Sequence, residues 1–248
     1  MKKLIIGTRG SNLALAQAEH IKSRLEKMGL EIELKIIKTS GDINQSTFNE
    51  IPLKKLFVKE IEEELLANKI DLAVHSMKDM PYDEVEGLVM AAYPEREDPR
   101  DALIVHNEIK IIGTGSERRR VQLEAIYENI EVRPIRGNVD TRILKLHNGD
   151  YDAIVLAAAG LNRLGLDNMI SRYFEVDEMV PSPCQGVLGI QCREDDEFVR
   201  RILDLIDNKE LRKVVELERL FGKIHNGGCK SPIGAYAEID FDIASVWT

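Results

Sequence analysis

The chain has few cysteines and lacks any long apolar run. Its 248 residues include three cysteines, Cys184, Cys192 and Cys229, whose spacing gives neither a disulfide framework nor a zinc pattern. No apolar stretch approaches the ~20 residues that a membrane helix needs. The first residues, MKKLIIGTRG, have too few consecutive apolar residues for a secretion signal. We therefore expect a cytoplasmic protein with reduced thiols, no bound metal and no membrane partner.

Aromatic residues and excess positive charge are also scarce. Only 5% of residues are aromatic and the formal net charge is −9, whereas nucleic-acid-binding surfaces carry basic stripes and stacking side chains. The composition therefore argues against a nucleic-acid partner, and a bound anion would need local clusters of cations. Hydrophobic residues make up 44% of the chain, which is usual for a globular protein. At this length we expect two or three small domains.

Apolar runs of four to seven residues alternate with amphipathic stretches of ten or more, which is typical of an α/β fold. The pattern predicts strands at 3–7, 33–39, 70–75, 88–92, 102–105, 110–113, 131–135 and 153–156. It predicts helices at 11–28, 57–68, 116–127, 139–148, 195–206 and 209–223. Two charged, proline-containing segments, 93–103 and 176–186, interrupt this pattern, and we expect the chain to cross between lobes there.

One short sequence occurs twice in similar form, as IIGTRGS at 5–11 and as IIGTGS at 111–116. Each copy ends a predicted strand and opens a predicted helix, where free backbone N–H groups and the helix dipole favour anions. The simpler alternative is that strand-to-helix turns favour Gly, Ser and Thr in any protein. The functional hypothesis is two similar α/β lobes whose anion cradles face one cleft.

Arginines are concentrated after the second cradle. The segments SERRR (116–120) and VRPIRGNVDTR (132–142) place six arginines within 25 positions. For Arg120 and Arg133 we accept exposed salt bridges on a helix or strand surface. The other four, Arg118, Arg119, Arg136 and Arg142, lie at the openings of two successive helices, where open α/β sheets bind ligands. Because guanidinium groups suit carboxylates and phosphates, these four predict a polyanion site.

The strand-end sequence IDLAVHSMKDMP (70–81) contains the best candidate for acid–base chemistry. Asp79 beside Lys78 is either a catalytic carboxylate or an ordinary surface ion pair, and its local pattern favours the pair at least as strongly. His75 is expected to pack or to make a structural hydrogen bond, so no chemistry is assigned to it.

Cys229 lies in the loop sequence HNGGCKSPIG (225–234). It is either a small half-buried hydrophobe or a reactive thiol whose pKa is lowered by Lys230 and His225. Its two preceding glycines permit unusual backbone and close approach of another group. Cys184 and Cys192 flank an apolar run, and we expect both to be buried.

Ten segments, in order from Gly7 to Glu238, resemble the porphobilinogen deaminase (hydroxymethylbilane synthase) family. They are GTRGSNLALAQA, TSGD, LFVKEIEEELL, DLAVHSMKDMP, EREDPRDA, GTGSERRRVQL, RGNVDTR, YDAIVLAAAGLNRLG, CQGVLGIQCR and GGCKSPIGAYAE. The resemblance implies a transferase of porphyrin, tetrapyrrole and heme biosynthesis. Such an enzyme condenses four porphobilinogen molecules into the linear hydroxymethylbilane and releases ammonia.

The resemblance also implies a fold of two lobes like type II periplasmic binding proteins, with a small third α/β domain, and a monomeric enzyme. We expect domain 1 at 1–95 plus about 178–194, domain 2 at 96–177, and domain 3 at 195–248. The third domain carries the cysteine loop and is shorter than is usual in the family, either naturally or by truncation. The segment IPLKKLFVKE lacks the family's glycines, so either Lys54 or Lys55 could replace its loop lysine.

Residue roles follow from the same resemblance. Cys229 would carry a covalent dipyrromethane cofactor through a thioether, and Asp79 would be the catalytic carboxylate. The other cofactor-binding residues would be Lys78, Ser116, Arg118, Arg119 and Arg142. The substrate-binding residues would be Arg9, Ser11, Thr114, Arg136, Arg163 and Gln185. Two alternatives are a two-lobed binding protein for a small polycarboxylate and a thiol-dependent transferase or hydrolase that uses Cys229 as its nucleophile.

Overall fold

A computed structural model of the chain describes residues 3–40, 58–225, 231–240 and 243–248. Its strands are β1 (Lys3–Thr8), β2 (Glu31–Ile36), β3 (Leu72–Ser76), β4 (Leu88–Ala92), β5 (Asp101–Val105), β6 (Ile111–Gly113), β7 (Glu131–Arg133), β8 (Ala153–Ala157), β9 (Arg172–Phe174), β10 (Leu188–Arg193), β11 (Tyr236–Asp240) and β12 (Ile243–Trp247). Its α-helices are α1 (Asn12–Glu26), α2 (Lys59–Leu66), α3 (Glu117–Ile126), α4 (Val139–His147), α5 (Ala158–Arg163), α6 (Glu197–Asp204) and α7 (Lys209–Ile224). Short 3-10 helices occupy Met77–Asp79 and Asp167–Met169.

The chain forms two compact units. The first contains residues 1–96 and 187–213, and the second contains residues 97–186 and 214–248. The first two passages between units therefore fall within or directly after the segments predicted as crossings, 93–103 and 176–186. The three-domain division stays a prediction, with its boundaries as given above.

The first unit contains a five-stranded sheet in the order β2-β1-β3-β10-β4. β1 runs parallel to β2 and β3, while β10 runs antiparallel to β3 and β4. Helix α1 packs on this sheet through fully buried side chains that include Ile21 and Leu25, which meet Leu4 and Ile6 of β1. Its amino end is capped by Ser11, and Gly29 follows its end with a φ of +84°.

The second unit contains a sheet of the same plan, in the order β7-β6-β8-β5-β9. β6 is parallel to β7 and β8, and β5 is antiparallel to β8 and β9. Phe174 is fully buried in the core, in one cluster with Ile112 and Leu123. The two sheets therefore repeat one arrangement of three parallel strands followed by an antiparallel strand, which confirms the predicted pair of similar α/β lobes.

The two copies of Ile-Ile-Gly-Thr occupy matching places in these sheets. Gly7 pairs with Lys35 and Ala73, and Gly113 pairs with Arg133 and Ile154. A Cβ on Gly7 would lie 2.3 Å from Ile70 Cδ1, and one on Gly113 would lie 2.8 Å from Tyr151 Cδ1. In each unit, a side chain just before the central strand, Ile70 before β3 or Tyr151 before β8, packs over the glycine. The repeated Ile-Ile-Gly-Thr sequence therefore reflects packing as well as turn preference.

Each predicted strand and helix is present, with ends that differ from the predictions by three residues at most over the described ranges. The sequence pattern missed α5 and the strands β9 to β12. All six residues of β10 are buried, so it shows no alternation of apolar and polar residues. β9 has only three residues. None of the described helices has the length and apolar character needed to span a bilayer.

The last strands form an antiparallel hairpin in which Tyr236 pairs with Trp247. Their rings lie 5.5 Å apart. Helix α7 precedes the hairpin in the chain, and its residues from Val214 onward belong with it to the second unit.

Gly186→Ala is predicted to destabilise the protein by about 3 kcal/mol. Gly186 has a φ of +88°, and a Cβ there would lie 2.2 Å from the backbone oxygen of Glu97. The left-handed conformation costs an L-residue roughly 1–2 kcal/mol, and overpacking adds ~1–3 kcal/mol. Urea unfolding followed by circular dichroism would measure the loss.

The matched control is Gly165→Ala, since Gly165 has a φ of +66° but no atom within 4 Å of a Cβ built on it. It should lose only about 1 kcal/mol. Equal losses in the two variants would show that the contact with Glu97 is unimportant.

Candidate active site

In the first unit, the residues with predicted roles follow two adjacent parallel strands. Arg9 and Ser11 come after β1, and Lys78 and Asp79 come after β3. Because the carboxyl ends of parallel neighbours meet at one edge of a sheet, all four lie at that edge. Asp79 is exposed and ends the 3-10 helix, whereas Lys78 is half-buried.

The turn that carries Asp79 is fixed by backbone hydrogen bonds. The N–H of Met77 donates to the carbonyl of Val187 at 3.0 Å, and the N–H of Met80 donates to the carbonyl of Met77 at 3.2 Å. Met77 and Met80 are buried on either side of the Lys78–Asp79 pair. An exposed carboxylate is thus held on a rigid turn at the sheet edge.

His75 has the structural role expected for it. Its side chain is buried in β3, and its Nε2 lies 3.0 Å from Oε1 of Gln191, whose Nε2 donates to Glu62. Burial lowers the pKa of His75 to about 4, although the hydrogen bond with Gln191 opposes this. His75 is therefore neutral at physiological pH and packs inside the first unit.

In the second unit, three adjacent parallel strands lead into the predicted binding residues. Thr114 and Ser116 follow β6, Arg136 follows β7, and Arg163 ends α5, which begins directly after β8. Asp101, at the start of the antiparallel β5, pairs with Ala157 at the end of β8. One edge of this sheet therefore gathers all of these residues.

The two cradles are built alike. In the first, the hydroxyl of Ser11 accepts a hydrogen bond from the N–H of Ala14 at 3.3 Å, which caps α1. In the second, the hydroxyl of Ser116 accepts from the N–H of Arg119 at 3.4 Å, which caps α3. Thr114 is buried, and its Oγ1 accepts from the N–H of Ser116 at 3.2 Å. Both serines thus fix a helix start at the sheet edge.

Arg118 and Arg119 form a buried network around Asp101. Nη2 of Arg118 donates to Oδ2 of Asp101 at 2.6 Å, and Nε and Nη2 of Arg119 lie 3.0 and 2.7 Å from Oδ1. Backbone carbonyls complete the network, since Nη1 of Arg118 donates to Val180 at 2.6 Å and Nη1 of Arg119 donates to Val155 at 3.0 Å. The arginines are 4% and 6% exposed, and Asp101 is 0% exposed.

Gln185 belongs to the same network. Its Nε2 donates to Oδ1 of Asp101 and to the carbonyl of Pro99, both at 2.8 Å. Its Oε1 accepts from Nη2 of Arg119 at 3.5 Å. The side-chain amide of Gln185 therefore holds both Asp101 and Arg119, and Gln185 is itself 1% exposed.

The network keeps Asp101 ionised. Burial alone would raise the pKa of Asp101, but the charges of Arg118 and Arg119 lower it to about 2. Burial lowers the pKa of Arg118, an effect that the charge of Asp101 opposes. Two guanidinium groups facing one carboxylate leave a net positive charge at the sheet edge.

The remaining arginines are less buried. Nε of Arg142 donates to the carbonyl of Gly137 at 2.8 Å, and a Cβ on Gly115 would lie 3.8 Å from Nη2 of Arg142. Nη2 of Arg163 donates to the carbonyl of Gly186 at 2.7 Å. Arg136 is exposed, and its carbonyl accepts from Nζ of Lys145 at 3.2 Å. Arg142 thus reaches the second cradle.

Two further predictions about side chains are confirmed. Arg120 pairs with Glu117 and Glu124 on the surface of α3, and Arg133 pairs with Glu131 at 2.6 Å. Cys184 and Cys192 are both buried, and burial raises the pKa of Cys192 to about 11.

Some predicted residues lie outside the described ranges, namely Lys54, Lys55 and Cys229. Among the residues that are described, no group of three or more His, Cys, Asp or Glu side chains could hold a metal ion. Sequence reasoning missed Asp101. The available signal was a lone acid that directly precedes four apolar residues in PRDALIV, since such an acid needs cationic partners if the strand is buried.

The protein is a mixed α/β protein with two similar units. Each unit places cationic side chains at the carboxyl edge of its sheet, which suits an anionic ligand. Residues 4–201 match the family model described as porphobilinogen deaminase, dipyromethane cofactor binding domain. The chain is 47% identical over 253 aligned residues to the porphobilinogen deaminase of Fusobacterium nucleatum, covering 97% of this chain and 85% of that protein. It is 45% identical to the porphobilinogen deaminase of Staphylococcus carnosus, with coverages of 97% and 82%.

The chain therefore belongs to the porphobilinogen deaminase family. It is a transferase that builds a linear tetrapyrrole for porphyrin and heme biosynthesis on a dipyrromethane cofactor, and its two lobes are those expected of the family. The alternative of a two-lobed polycarboxylate-binding protein is not favoured. An arginine-binding periplasmic protein of Salmonella typhimurium is also similar, with a TM-score of 0.47, 13% identity and coverages of 90% and 99%, a likeness too weak to carry an argument.

Asp101→Asn is predicted to destabilise the protein by about 3–5 kcal/mol at pH 7, because it leaves two buried guanidinium groups without a counter-charge. The folded-state pKa of Asp101 is about 2, below its ordinary value of 3.8. The stabilisation is therefore present above pH ~4 and is lost as the pH falls towards 2. Urea unfolding at pH 7, 4 and 3 should show the difference between the two proteins shrinking with acid.

Glu131→Gln is the control, since it removes one partner of an ion pair whose side chains are 45% and 58% exposed. Its effect should stay within about 1 kcal/mol at every pH. An Asp101→Asn variant as stable as Glu131→Gln would contradict the structural role of the network.

Proposed function

We propose that porphobilinogen is the substrate and that the cations at the two sheet edges bind its carboxylates and those of the growing pyrrole chain. The observation that carries this proposal is the Asp101 network, which holds Arg118 and Arg119 in fixed orientations with a net positive charge. Each porphobilinogen unit has an acetate and a propionate, so chain growth adds two negative charges per step. Guanidinium groups recognise carboxylates better than lysines do where geometry must be fixed.

The donor set fits the dipyrromethane cofactor. Ser116, Arg118, Arg119 and Arg142 lie around the second cradle, where α3 begins, and we assign the cofactor carboxylates to them together with Lys78 of the first unit. When bound, the cofactor supplies the primer on which the pyrrole chain grows. We assign its attachment to Cys229, the position that the family resemblance indicates. The other two cysteines, Cys184 and Cys192, are buried, and the pKa of Cys192 is raised.

Substrate binding is assigned to Arg9 and Ser11 in the first unit and to Thr114, Arg136 and Arg163 in the second. Arg136 is the most open of these cations. Gln185 was predicted to bind substrate directly, but its amide hydrogen bonds suit a different role. We propose that it acts by holding Asp101 and Arg119 in place.

Asp79 is the proposed catalytic carboxylate. Loss of ammonia from the aminomethyl group of porphobilinogen leaves an azafulvenium-like cation, and attack on it by a pyrrole carbon must be followed by loss of a proton. An exposed carboxylate on a rigid turn can stabilise that cation and accept that proton. A cytoplasmic location and a monomeric state remain predictions from the sequence.

Cys229→Ala is predicted to remove a mass equal to two linked pyrrole units from the purified protein, because the thioether cannot form. Intact-protein mass spectrometry measures this directly. Cys192→Ala is the control, and it should keep the extra mass because that thiol is buried. Active wild-type protein without the added mass would contradict the assignment.

Asp79→Asn is predicted to retain the cofactor and to lower kcat by about 100-fold or more, since the amide can neither stabilise the cation fully nor accept the proton. Ammonia release measures turnover, and intact mass reports the cofactor. The same change of charge at an exposed site, Glu84→Gln, should leave both unaltered. Near-normal ammonia release by Asp79→Asn would exclude this residue as the catalytic group.

A further inference from the structure

Glu218, on α7, is a buried carboxylate that joins two separate segments of the second unit. It is 1% exposed. Its Oε2 accepts a hydrogen bond from the backbone N–H of Cys184 at 2.5 Å, and its Oε1 accepts one from the backbone N–H of Ala237 at 2.8 Å. Both of its carboxylate oxygens therefore accept from backbone donors. Glu218 thus fixes α7, Cys184 and β11 relative to one another.

The same two segments also contact each other directly. The N–H of Ala235 donates to the carbonyl of Pro181 at 2.8 Å. Gly234 lies so close to Val180 that a Cβ built on it would be 2.8 Å from the carbonyl oxygen of Val180. Ala235 and Ala237 are almost completely buried. The start of β11 is therefore seated along residues 180–184.

Residues 180–184 are in turn fixed to the helix that carries the arginine pair. The carbonyl of Val180 accepts from Nη1 of Arg118 at 2.6 Å and from Nε2 of Gln122 at 3.2 Å, and its N–H donates to Oε1 of Gln122 at 2.7 Å. Both backbone polar groups of Val180 thus bond to side chains of α3. A continuous set of contacts runs from Arg118 through Val180 to β11.

Glu218 also stabilises an unusual backbone conformation at Cys184. Cys184 has a φ of +60°, a left-handed conformation that is unfavourable for a residue with a Cβ. The hydrogen bond from its N–H to Glu218 offsets this cost. Loss of the carboxylate would therefore weaken the attachment both of the segment that contacts α3 and of the strand β11.

We propose that Glu218 is a positioning residue for the reaction. It holds α7 and β11, the elements before and after the segment that contains Cys229, in fixed positions relative to Arg118 and Arg119. Glu218 lies eleven positions before Cys229, and its partner Ala237 lies eight positions after it. The inference rests on the proposed roles of Cys229 and the arginines. Glu218 touches neither substrate nor cofactor and acts through the backbone N–H groups of Cys184 and Ala237.

The test compares Glu218→Gln with Glu216→Gln, the same substitution at an exposed position of the same helix. Glu218→Gln keeps one acceptor oxygen and so satisfies only one of the two N–H groups. Three readouts are measured on the holoenzymes, namely hydrogen exchange of individual amides, intact mass, and kcat and KM for porphobilinogen.

For Glu218→Gln we expect the amides of Cys184 and Ala237 to exchange at least ~10-fold faster, which corresponds to about 1.4 kcal/mol, while the amides of β8 exchange as in the wild type. We expect kcat to fall about 10- to 100-fold with KM changed less than about threefold. The reason is that a displaced Cys229 segment would alter the alignment of the reacting groups more than the binding of porphobilinogen. Glu216→Gln should match the wild type in all three readouts.

Wild-type kcat in Glu218→Gln, or a loss of activity accompanied by equally fast exchange in β8, would overturn the proposal, since the second result means general loosening. If Glu218→Gln does not fold, Glu218→Asp, which keeps the charge but has a shorter reach, is measured in the same way. Failure of both to fold would make Glu218 a stability residue only and would also overturn it. Wild-type protein that carries no pyrroles and releases no ammonia would instead contradict the proposed function.

Discussion

The ion pairs of Asp101 with Arg118 and Arg119 are the constraint on which the functional edge of the second unit depends. A carboxylate with no exposed surface is costly to bury unless its charge is matched, and here two guanidinium groups match it. The requirement works in both directions, because neither arginine could stay buried without the acid. Asp101 begins β5, and the two arginines lie in the first turn of α3, so the network joins a strand to a helix at the edge where ligands bind.

The excess of one positive charge in this network has a functional consequence. Asp101 is surrounded by donors from Arg118, Arg119 and Gln185, so its oxygens are already engaged and the residual positive charge is available to an anion. The whole chain has a net charge of −9, which would repel a polycarboxylate in the absence of such local sites. Fixed orientation matters as much as charge, because a preformed site does not have to order long side chains when its ligand binds.

Much of the fold follows from periodicity in the sequence, and the elements that were missed share physical reasons. β10 lies between β3 and β4 and is buried along its whole length, so alternation cannot reveal it. The place of Arg136 at the ligand-binding edge could be inferred, because it lies at the opening of a predicted helix. Arg163 was indicated only by the family resemblance, since the pattern missed α5, which it ends. The surface pairing of Arg120 could also be inferred, but the burial of Arg118 and Arg119 could not, because it depends on Asp101, which the sequence pattern did not reveal.

The hairpin of β11 and β12 shows why backbone anchoring matters in this unit. A two-stranded sheet is marginal in water by itself, and β12 exposes apolar side chains, with Ile243 at 71% and Val246 at 48%. Burial of β12 therefore contributes little to the placement of the hairpin. The buried contacts are instead on β11 and just before it, where Ala235 bonds to Pro181 and Ala237 bonds to Glu218. In both hydrogen bonds the donor is a backbone N–H group, so the side chains of Ala235 and Ala237 do not matter for them. Of these two bonds, the one to Ala237 requires a particular side chain, the carboxylate of Glu218.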